Sequence, residues 1–174
     1  MRNLLIFSDT KQIRIPAIQQ MVDLFRHPAI IMNHRTEVIA WNGAAAAIIV
    51  DFAMLPDRIM MGLVLKDSVI RERVINRNEF AAYVVQQFRA FACQHDADFW
   101  YTAFMQRMCR ESSLFLKLWN RSDVRVKGLQ PFFIDHPCLG RSSFQIMPFT
   151  RINGDNQLCC WVFLPSPKTD AILT

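Results

Sequence analysis

The sequence predicts an α+β fold, in which one antiparallel sheet is covered by helices. Strand-like patterns lie near both ends of the chain, as an early hairpin and a late meander, and helical periodicity fills the stretch between them. The composition supports a packed core, since 52% of the 174 residues are hydrophobic and only 20% are charged. We therefore expect residues 1–174 to form a single domain.

The first predicted elements are a short helix and a hairpin. Apolar side chains repeat at helical spacing over residues 16–25, and the helix ends there because the residue before Pro28 avoids the helical region. Residues 29–33 and 37–41 are typical of paired strands joined by a polar turn. Asn42 is predicted to cap the following helix by accepting a hydrogen bond from one of its free amide groups.

The middle of the chain is predicted to be helical, apart from residues 56–66, whose apolar side chains show no clean period and suggest an irregular cover. One long helix is expected over residues 67–95. Asp98 is predicted to cap the next helix, and Ser112 or Ser113 is predicted to start a shorter one.

The last third of the chain changes to a strand period. Residues 144–150 and 158–164 are predicted strands joined by a polar turn, and residues 132–135 are a further short strand. The two ends, residues 1–11 and 166–174, are expected to be loosely ordered termini.

The charge and the cysteines argue against several classes of protein. The formal net charge of +5 comes from singly scattered basic residues, which gives little support for nucleic-acid contact by this segment. The five cysteines form no CxxC pair, and adjacent Cys159 and Cys160 would point to opposite faces of a strand, so neither a disulfide framework nor a zinc site is expected. No apolar stretch reaches the roughly 18 residues of a membrane helix, and no secretory signal opens the chain. These features predict a cytoplasmic protein with reduced thiols, no metal and no membrane contact.

No catalytic motif stands out. The sequence contains no nucleophile elbow, zinc-protease motif, phosphate loop or dinucleotide fingerprint. Its four histidines are not spaced as metal ligands, and its carboxylates are mostly dispersed. An enzyme using Cys138 or His136 stays open as an alternative, and it would need the two groups in hydrogen-bond reach across a cleft. We expect no enzymatic activity and assign no catalytic residue.

Three short segments carry a family resemblance. Residues 33–42 end in Ala-Trp-Asn before an alanine run, residues 112–125 read Ser-x-x-Phe-x-x-x-Trp followed by Asp-Val-Arg, and residues 136–140 read His-Pro-Cys-Leu-Gly. In this order and spacing they resemble the MmyB-like transcription regulator ligand-binding domain, and the likeness runs from about Pro16 to the C-terminus. The resemblance implies a PAS-like sheet, a buried pocket for a small organic ligand, and control of DNA binding by that ligand.

The resemblance also implies partners. Family members normally carry an N-terminal helix-turn-helix domain that binds DNA, and this chain begins where that domain would end. We expect either a sensor half or a stand-alone relative, with no helix-turn-helix domain in this chain. It would form a homodimer and reach DNA only through an attached or partner helix-turn-helix domain.

The implied ligand is a small apolar molecule such as a fatty acid, and no other cofactor is expected. The 14 Phe, 9 Met and 4 Trp residues suit such a ligand because bulky side chains line apolar cavities, although filling a core is their usual role. The candidate ligand-binding residues are Trp41, Phe88, Arg89, Phe91, Phe104, Phe115, Trp119 and Arg125. The aromatic residues would bury the apolar part, and either arginine could hold a carboxylate bidentately.

Plainer alternatives stay open at each of these positions. The aromatic residues are core residues by default, and the arginines could form a structural salt bridge or end in solvent. A second hypothesis for the whole chain is an interaction module, in which the same core is fully packed and an apolar surface patch binds a partner protein. A cavity of roughly a few hundred Å³ would separate the two hypotheses.

Overall fold

The computed structural model describes residues 16–66, 68–95, 97–121, 130–152 and 154–173. Within them the helices are α1 (16–23), α2 (Gly43–Ile48), α3 (Met60–Lys66), α4 (Ser68–Arg73), α5 (Arg77–Gln94), α6 (Phe99–Glu111), α7 (Ser113–Trp119) and α8 (Pro167–Leu173), and a 3-10 turn spans Phe52–Met54. The strands are β1 (Ala29–Asn33), β2 (Val38–Trp41), β3 (Gln130–His136), β4 (Gly140–Phe149) and β5 (Leu158–Pro165). This confirms the predicted α+β class, a PAS-like antiparallel sheet with helices packed against it.

The five strands form one sheet in the order β2-β1-β5-β4-β3, and every pair is antiparallel. The first and last strands of the sequence are therefore neighbours at its centre, with Ile30 opposite Trp161. Residues of α2 to α7 pack on one face, which we call the inner face, and α1 covers the outer face through Ile18 and Val22. None of the described helices combines the length and the apolar character that a membrane span requires.

The Asn42 side chain holds the start of the sheet together. Its Oδ1 accepts hydrogen bonds from the amides of Ala45 (2.9 Å) and Ala29 (3.1 Å). Its Nδ2 donates to the carbonyl oxygens of Phe25 (2.9 Å) and His27 (2.8 Å). The predicted helix cap is confirmed, and the same amide also fastens the segment after α1 to the sheet.

The two other predicted caps are also present. Asp98 Oδ1 accepts from the amide of Trp100 at 2.9 Å, at the start of α6. Ser112 Oγ accepts from the amide of Phe115 at 3.1 Å, at the start of α7. Both serve the free amides of a helix N-terminus.

Two predictions about the middle of the chain are wrong. Part of the stretch 56–66 is the regular helix α3, which the sequence hides because five of its seven residues are buried and it has no polar face to give a period. The predicted helix over 67–95 is two helices, because Val74 pairs with Ile134 of β3 and the Ile75 amide donates to the Phe133 carbonyl oxygen at 2.9 Å. Backbone groups that a continuous helix would use are therefore bonded to the edge of β3.

The C-terminal residues also differ from expectation. Most of the predicted loose terminus 166–174 is helix α8, which packs on β4 and β5. Thr169 is only 2% exposed and accepts a hydrogen bond from the amide of Ser143 at 2.9 Å. Tertiary contact therefore orders a segment that has no strong helical pattern of its own. Residues 1–11 lie outside the described residues.

Candidate functional site

A groove between α5, α6 and α7 is large enough for a small molecule. Its volume is about 260 Å³, close to the lower end of the range for ligand pockets, which begins at ~300 Å³. The lining residues are Phe88, Ala92 and Cys93 of α5, Tyr101, Thr102 and Met105 of α6, and Trp119 of α7. None of these side chains carries a charge at neutral pH, so the groove suits an apolar guest.

Phe88 forms the centre of the aromatic wall of this groove. Its side chain is fully buried, and its ring centroid lies 5.5 Å from Tyr101, 5.3 Å from Phe104, 6.0 Å from Trp119 and 6.3 Å from Trp100. Tilted and edge-on ring pairs at these separations are favourable. The three helices are therefore held together by one aromatic cluster, and the groove is the gap left beside it.

Arg89 fixes the α7 end of the groove. Its guanidinium donates hydrogen bonds to the carbonyl oxygens of Leu118 (3.2 Å), Arg121 (2.9 Å) and Trp119. It also lies over the Trp119 ring, 5.1 Å from the centroid. A cation bound to the free carbonyls of a helix C-terminus is favourable. These contacts are those of a structural arginine, and the carboxylate-binding role of Arg89 stays a prediction.

The structure brings five of the eight predicted site residues together. Phe88 and Trp119 line the groove, and Arg89 holds Trp119. Phe104 and Phe115 stand behind the wall: Phe104 contacts Phe88, and Phe115 stacks on Trp119 with ring centroids 5.5 Å apart and planes 17° apart.

The other three predicted residues are elsewhere. Trp41 ends β2 and packs against Phe52 (5.6 Å between ring centroids) and under the guanidinium of Arg58. Phe91 lines a different cavity, in the core. Arg125 lies outside the described residues, so its predicted role is untested.

Five residues that line the groove were not predicted: Ala92, Cys93, Tyr101, Thr102 and Met105. Ala92 is one helical turn after Phe88, and Tyr101 and Met105 are one turn apart on α6. On α6 the groove is lined by Tyr101, Thr102 and Met105, whereas the predicted residue Phe104 lies on the neighbouring face and contacts Phe88. The spacing from Phe88 was the one signal in the sequence that could have pointed to Ala92.

The core cavity, between the inner face of the sheet and α5, is almost closed. Its volume is about 10 Å³, which is room for about one water molecule. The lining residues are Met32, Asn33, Thr36, Met60, Val84, Gln87, Phe91, Cys159 and Trp161. Among these two spaces, both lined by described residues, the groove in the helical layer is guest-sized and the cavity beneath the sheet is water-sized.

A hydrogen-bonded cluster joins the groove to the β1–β2 turn. The Tyr101 hydroxyl donates to the carbonyl oxygen of His34 at 2.8 Å and lies 2.8 Å from His34 Nδ1. Since the hydroxyl has one proton, Nδ1 is the donor in the second contact. The His34 ring stacks on His95 with centroids 4.8 Å apart. Burial, the charge of His95 and the charge of Arg35 lower the pKa of His34, and burial raises the pKa of Tyr101 to about 12.

An ion pair reinforces this junction. Arg35 donates to Asp98 Oδ2 at 3.1 Å, and its guanidinium lies 4.8 Å from the centroid of the Trp100 ring. The Trp100 amide and the Arg35 guanidinium bond to the Asp98 carboxylate and lower its pKa. The turn after β1 is therefore fastened to the N-terminus of α6 by both charged and neutral hydrogen bonds.

The His136 side chain is occupied with backbone groups. Its Nε2 contacts the Ala47 carbonyl oxygen at 3.0 Å, and its Nδ1 accepts from the amides of Cys138 and Leu139, both at 3.2 Å. These contacts fix the β3–β4 turn. They leave the Cys138 thiol without the imidazole partner that the enzymatic alternative requires. Among the described residues, no group of three or more His, Cys, Asp or Glu side chains is placed to hold a metal ion.

Comparison with known proteins gives one assignment. A family model described as the MmyB-like transcription regulator ligand binding domain matches residues 15–173, which is most of the chain. A search of curated proteins found no match.

Proposed function

Because this chain belongs to the MmyB-like transcription regulator ligand binding domain family, we propose that it senses a small apolar molecule, such as a fatty acid, in the groove between α5, α6 and α7. The family consists of regulatory ligand-binding domains. Occupancy of the groove would control DNA binding by an attached or partner helix-turn-helix domain, and the regulator would act as a homodimer in the cytoplasm.

The groove is the observation that carries this proposal. It offers about 260 Å³ lined by uncharged side chains. A ligand that buried about six methylenes there would gain ~5 kcal/mol, at ~0.8 kcal/mol for each CH₂. A charged head group would remain at the open side, where water or a surface cation can pair with it.

The contacts of Tyr101 supply a route from ligand to sheet. Tyr101 lines the groove and bonds to His34 in the β1–β2 turn. Strand β1 pairs with β5 within the sheet, and α1 covers the outer face of β1. A ligand that favours one arrangement of Tyr101 would shift the population of one packing over another.

The direct test fills the groove with a side chain. Ala92 lines the groove, whereas Ala90 is exposed on the same helix and provides a matched control. We expect decanoic acid to raise the Tm of the wild type and of Ala90→Phe by about 5–10 °C at 100-fold excess over Kd. Ala92→Phe should show no such rise, and native mass spectrometry should show it empty. An equal rise in Ala92→Phe would place the ligand elsewhere, and no rise in any protein would remove the fatty-acid proposal.

An interaction module without ligand is the second candidate function. It is supported by the core cavity of only about 10 Å³, which is what a fully packed core gives. A second groove of about 380 Å³ beside β3, β4 and β5 includes Phe133, which is 39% exposed. The same titration distinguishes the two, because an interaction module binds neither decanoic acid nor any other small apolar probe.

A further inference from the structure

Two histidines from different elements meet beside the groove. His34 lies in the β1–β2 turn and His95 directly after α5, and their rings stack with centroids 4.8 Å apart and planes 19° apart. Tyr101 completes the cluster, because its hydroxyl bonds to the His34 carbonyl oxygen and Nδ1 and its ring stacks on His95 with centroids 5.5 Å apart. Tyr101 also lines the groove. The two histidines therefore lie where a turn of the sheet meets the groove wall.

Hydrogen bonds fix the same tautomer in both rings. The Phe91 carbonyl oxygen, 2.9 Å from His95 Nδ1, can only accept, so that nitrogen carries the proton. His34 Nδ1 is likewise the donor to the Tyr101 hydroxyl. In each neutral ring the nitrogen without a proton is therefore Nε2. A proton taken up there keeps both Nδ1 bonds and adds a charge to the stack, so acid acts on this cluster through repulsion.

The charged groups around His34 act in both directions. Burial is the largest influence, and together with the charges of His95 and Arg35 it lowers the pKa of His34 below 6.5. Asp98 at the start of α6 and Asp155 in the β4–β5 turn favour the protonated ring. The carboxylate of Asp98 is already bonded to Arg35 at 3.1 Å, so its charge is partly compensated. Two protonated rings 4.8 Å apart would therefore repel each other.

We propose that His34 and His95 form a proton-operated latch, which holds the β1–β2 turn, the end of α5 and the start of α6 together while both rings are neutral and releases them when both are protonated. The moving part is the corner formed by residues 92–95 and 97–102, which includes Ala92, Cys93 and Tyr101 of the groove wall. A guest that needs the intact wall would bind less tightly in acid. This control of the groove rests on the proposed function, whereas the latch itself needs no ligand.

The direction of the pH effect follows from proton binding. The pKa of His34 is below 6.5 in the closed latch and returns toward that ordinary value once the ring is exposed, so the open state binds more protons. The closed latch is therefore fully favoured above pH 6.5 and is lost as the pH falls below it. An opening that takes up one proton becomes up to about tenfold more favourable for each pH unit in that range.

Hydrogen exchange tests the latch without any ligand. We would measure protection factors, which are corrected for the intrinsic pH dependence of exchange, for the amides of Asp98, Trp100 and Tyr101 at pH 7.5 and 5.5. All three are bonded within the corner, and the amides of β5 report global unfolding. The expected result at pH 5.5 is a fall of about tenfold in the corner and of less than about threefold in β5. Equal protection of the corner at both pH values, or an equal fall in β5, would overturn the proposal.

Asparagine variants test the pair itself. The asparagine amide nitrogen can take the place of Nδ1, so the bonds to Phe91 and Tyr101 can be kept without a titratable ring. His95→Asn and His34→Asn should each abolish the fall in protection, and His27→Asn, in the segment after α1, should behave as the wild type. In His95→Asn the His34 Cε1 proton should titrate at a higher pH, because the charge of His95 is gone. An unchanged His34 titration, or a fall in protection that persists in His95→Asn, would show that the two rings do not act as a latch.

A neutral probe tests the link to the groove. The probe 1-nonanol has no titratable group, so any pH dependence of its binding belongs to the protein. Its Kd should rise about tenfold from pH 7.5 to 5.5 in the wild type and less than about twofold in His95→Asn. The same rise in both proteins, or none in the wild type, would overturn control of the groove by the latch. No binding at either pH counts against the proposed function, and hydrogen exchange then decides the latch alone.

Discussion

Replacing Asn42 with alanine should destabilise the protein more than removing the side chain of any other asparagine or glutamine that bonds to the sheet. The side chain is 4% exposed and makes four hydrogen bonds to backbone groups. At ~1 kcal/mol for each bond, the loss is about 4 kcal/mol, and backbone groups left unpaired in the interior add to it. Domains of this kind have a total stability of about 5–15 kcal/mol. Asn42→Ala should therefore remove about a quarter or more of the free energy of unfolding.

The assay is urea unfolding followed by circular dichroism. With a slope of about 2 kcal/mol per M, a loss of 4 kcal/mol moves the midpoint by about 2 M. Asn42→Asp separates the two halves of the side chain. It keeps both acceptor contacts but cannot donate to the carbonyl oxygens of Phe25 and His27, and it sets a charge against them, so we expect a loss of about 2–4 kcal/mol.

Asn76 provides the control for this reasoning. Its side chain also clamps two backbone groups, donating to the Pro131 carbonyl oxygen at 2.8 Å and accepting from the Phe133 amide at 2.9 Å, but in contact with solvent. Water can replace these bonds, so Asn76→Ala should cost only about 1 kcal/mol. A midpoint shift for Asn42→Ala no larger than that for Asn76→Ala would refute the argument from burial.

Two further predictions concern the junctions around the groove. The pKa of His34 lies below its ordinary value of 6.5 in the folded protein. The unfolded chain therefore binds the proton more readily, so the contribution of His34 to stability is complete above pH 6.5 and is lost as the pH falls below it toward the folded pKa. The Tm of His34→Gln, measured from pH 7.5 to 5, should depend less on pH than that of the wild type, and parallel curves would contradict this. Arg89→Leu should lower stability by about 2 kcal/mol, since it removes three carbonyl contacts and the contact with Trp119. Arg107→Leu, which among the described residues loses a contact with the Phe104 ring, should cost less than about 1 kcal/mol, and an equal loss in the two variants would argue against the capping role.

Local chemistry explains which elements could be predicted. Asn42, Asp98 and Ser112 cap helices through bonds to residues two or three positions ahead, so a short stretch of sequence contains all that is needed. The bounds of β1 are as predicted because an apolar run meets a polar turn at Asn33. The break after Arg73 could not be predicted, because its cause is pairing with a strand about 60 residues further along the chain.

The candidate site follows the same division. Phe88, Phe104 and Trp119 are predictable as large apolar residues on helices, and in the structure Phe88 contacts both of the others. Ala92 and Thr102 line the groove through their small size, which matters only where three helices meet.

Strand β5 connects the two faces of the sheet, because its side chains pack against the helical layer on one face and against α1 on the other. Trp161 faces the helical layer, whereas Cys160 and Val162 on either side of it face α1. Successive side chains on a strand project from the same stiff peptide planes. A shift of the β5 backbone would therefore move Trp161 on the inner face and Cys160 and Val162 on the outer face together. The residues that contact α1 and those that contact the helical layer are thus separated by the thickness of one backbone.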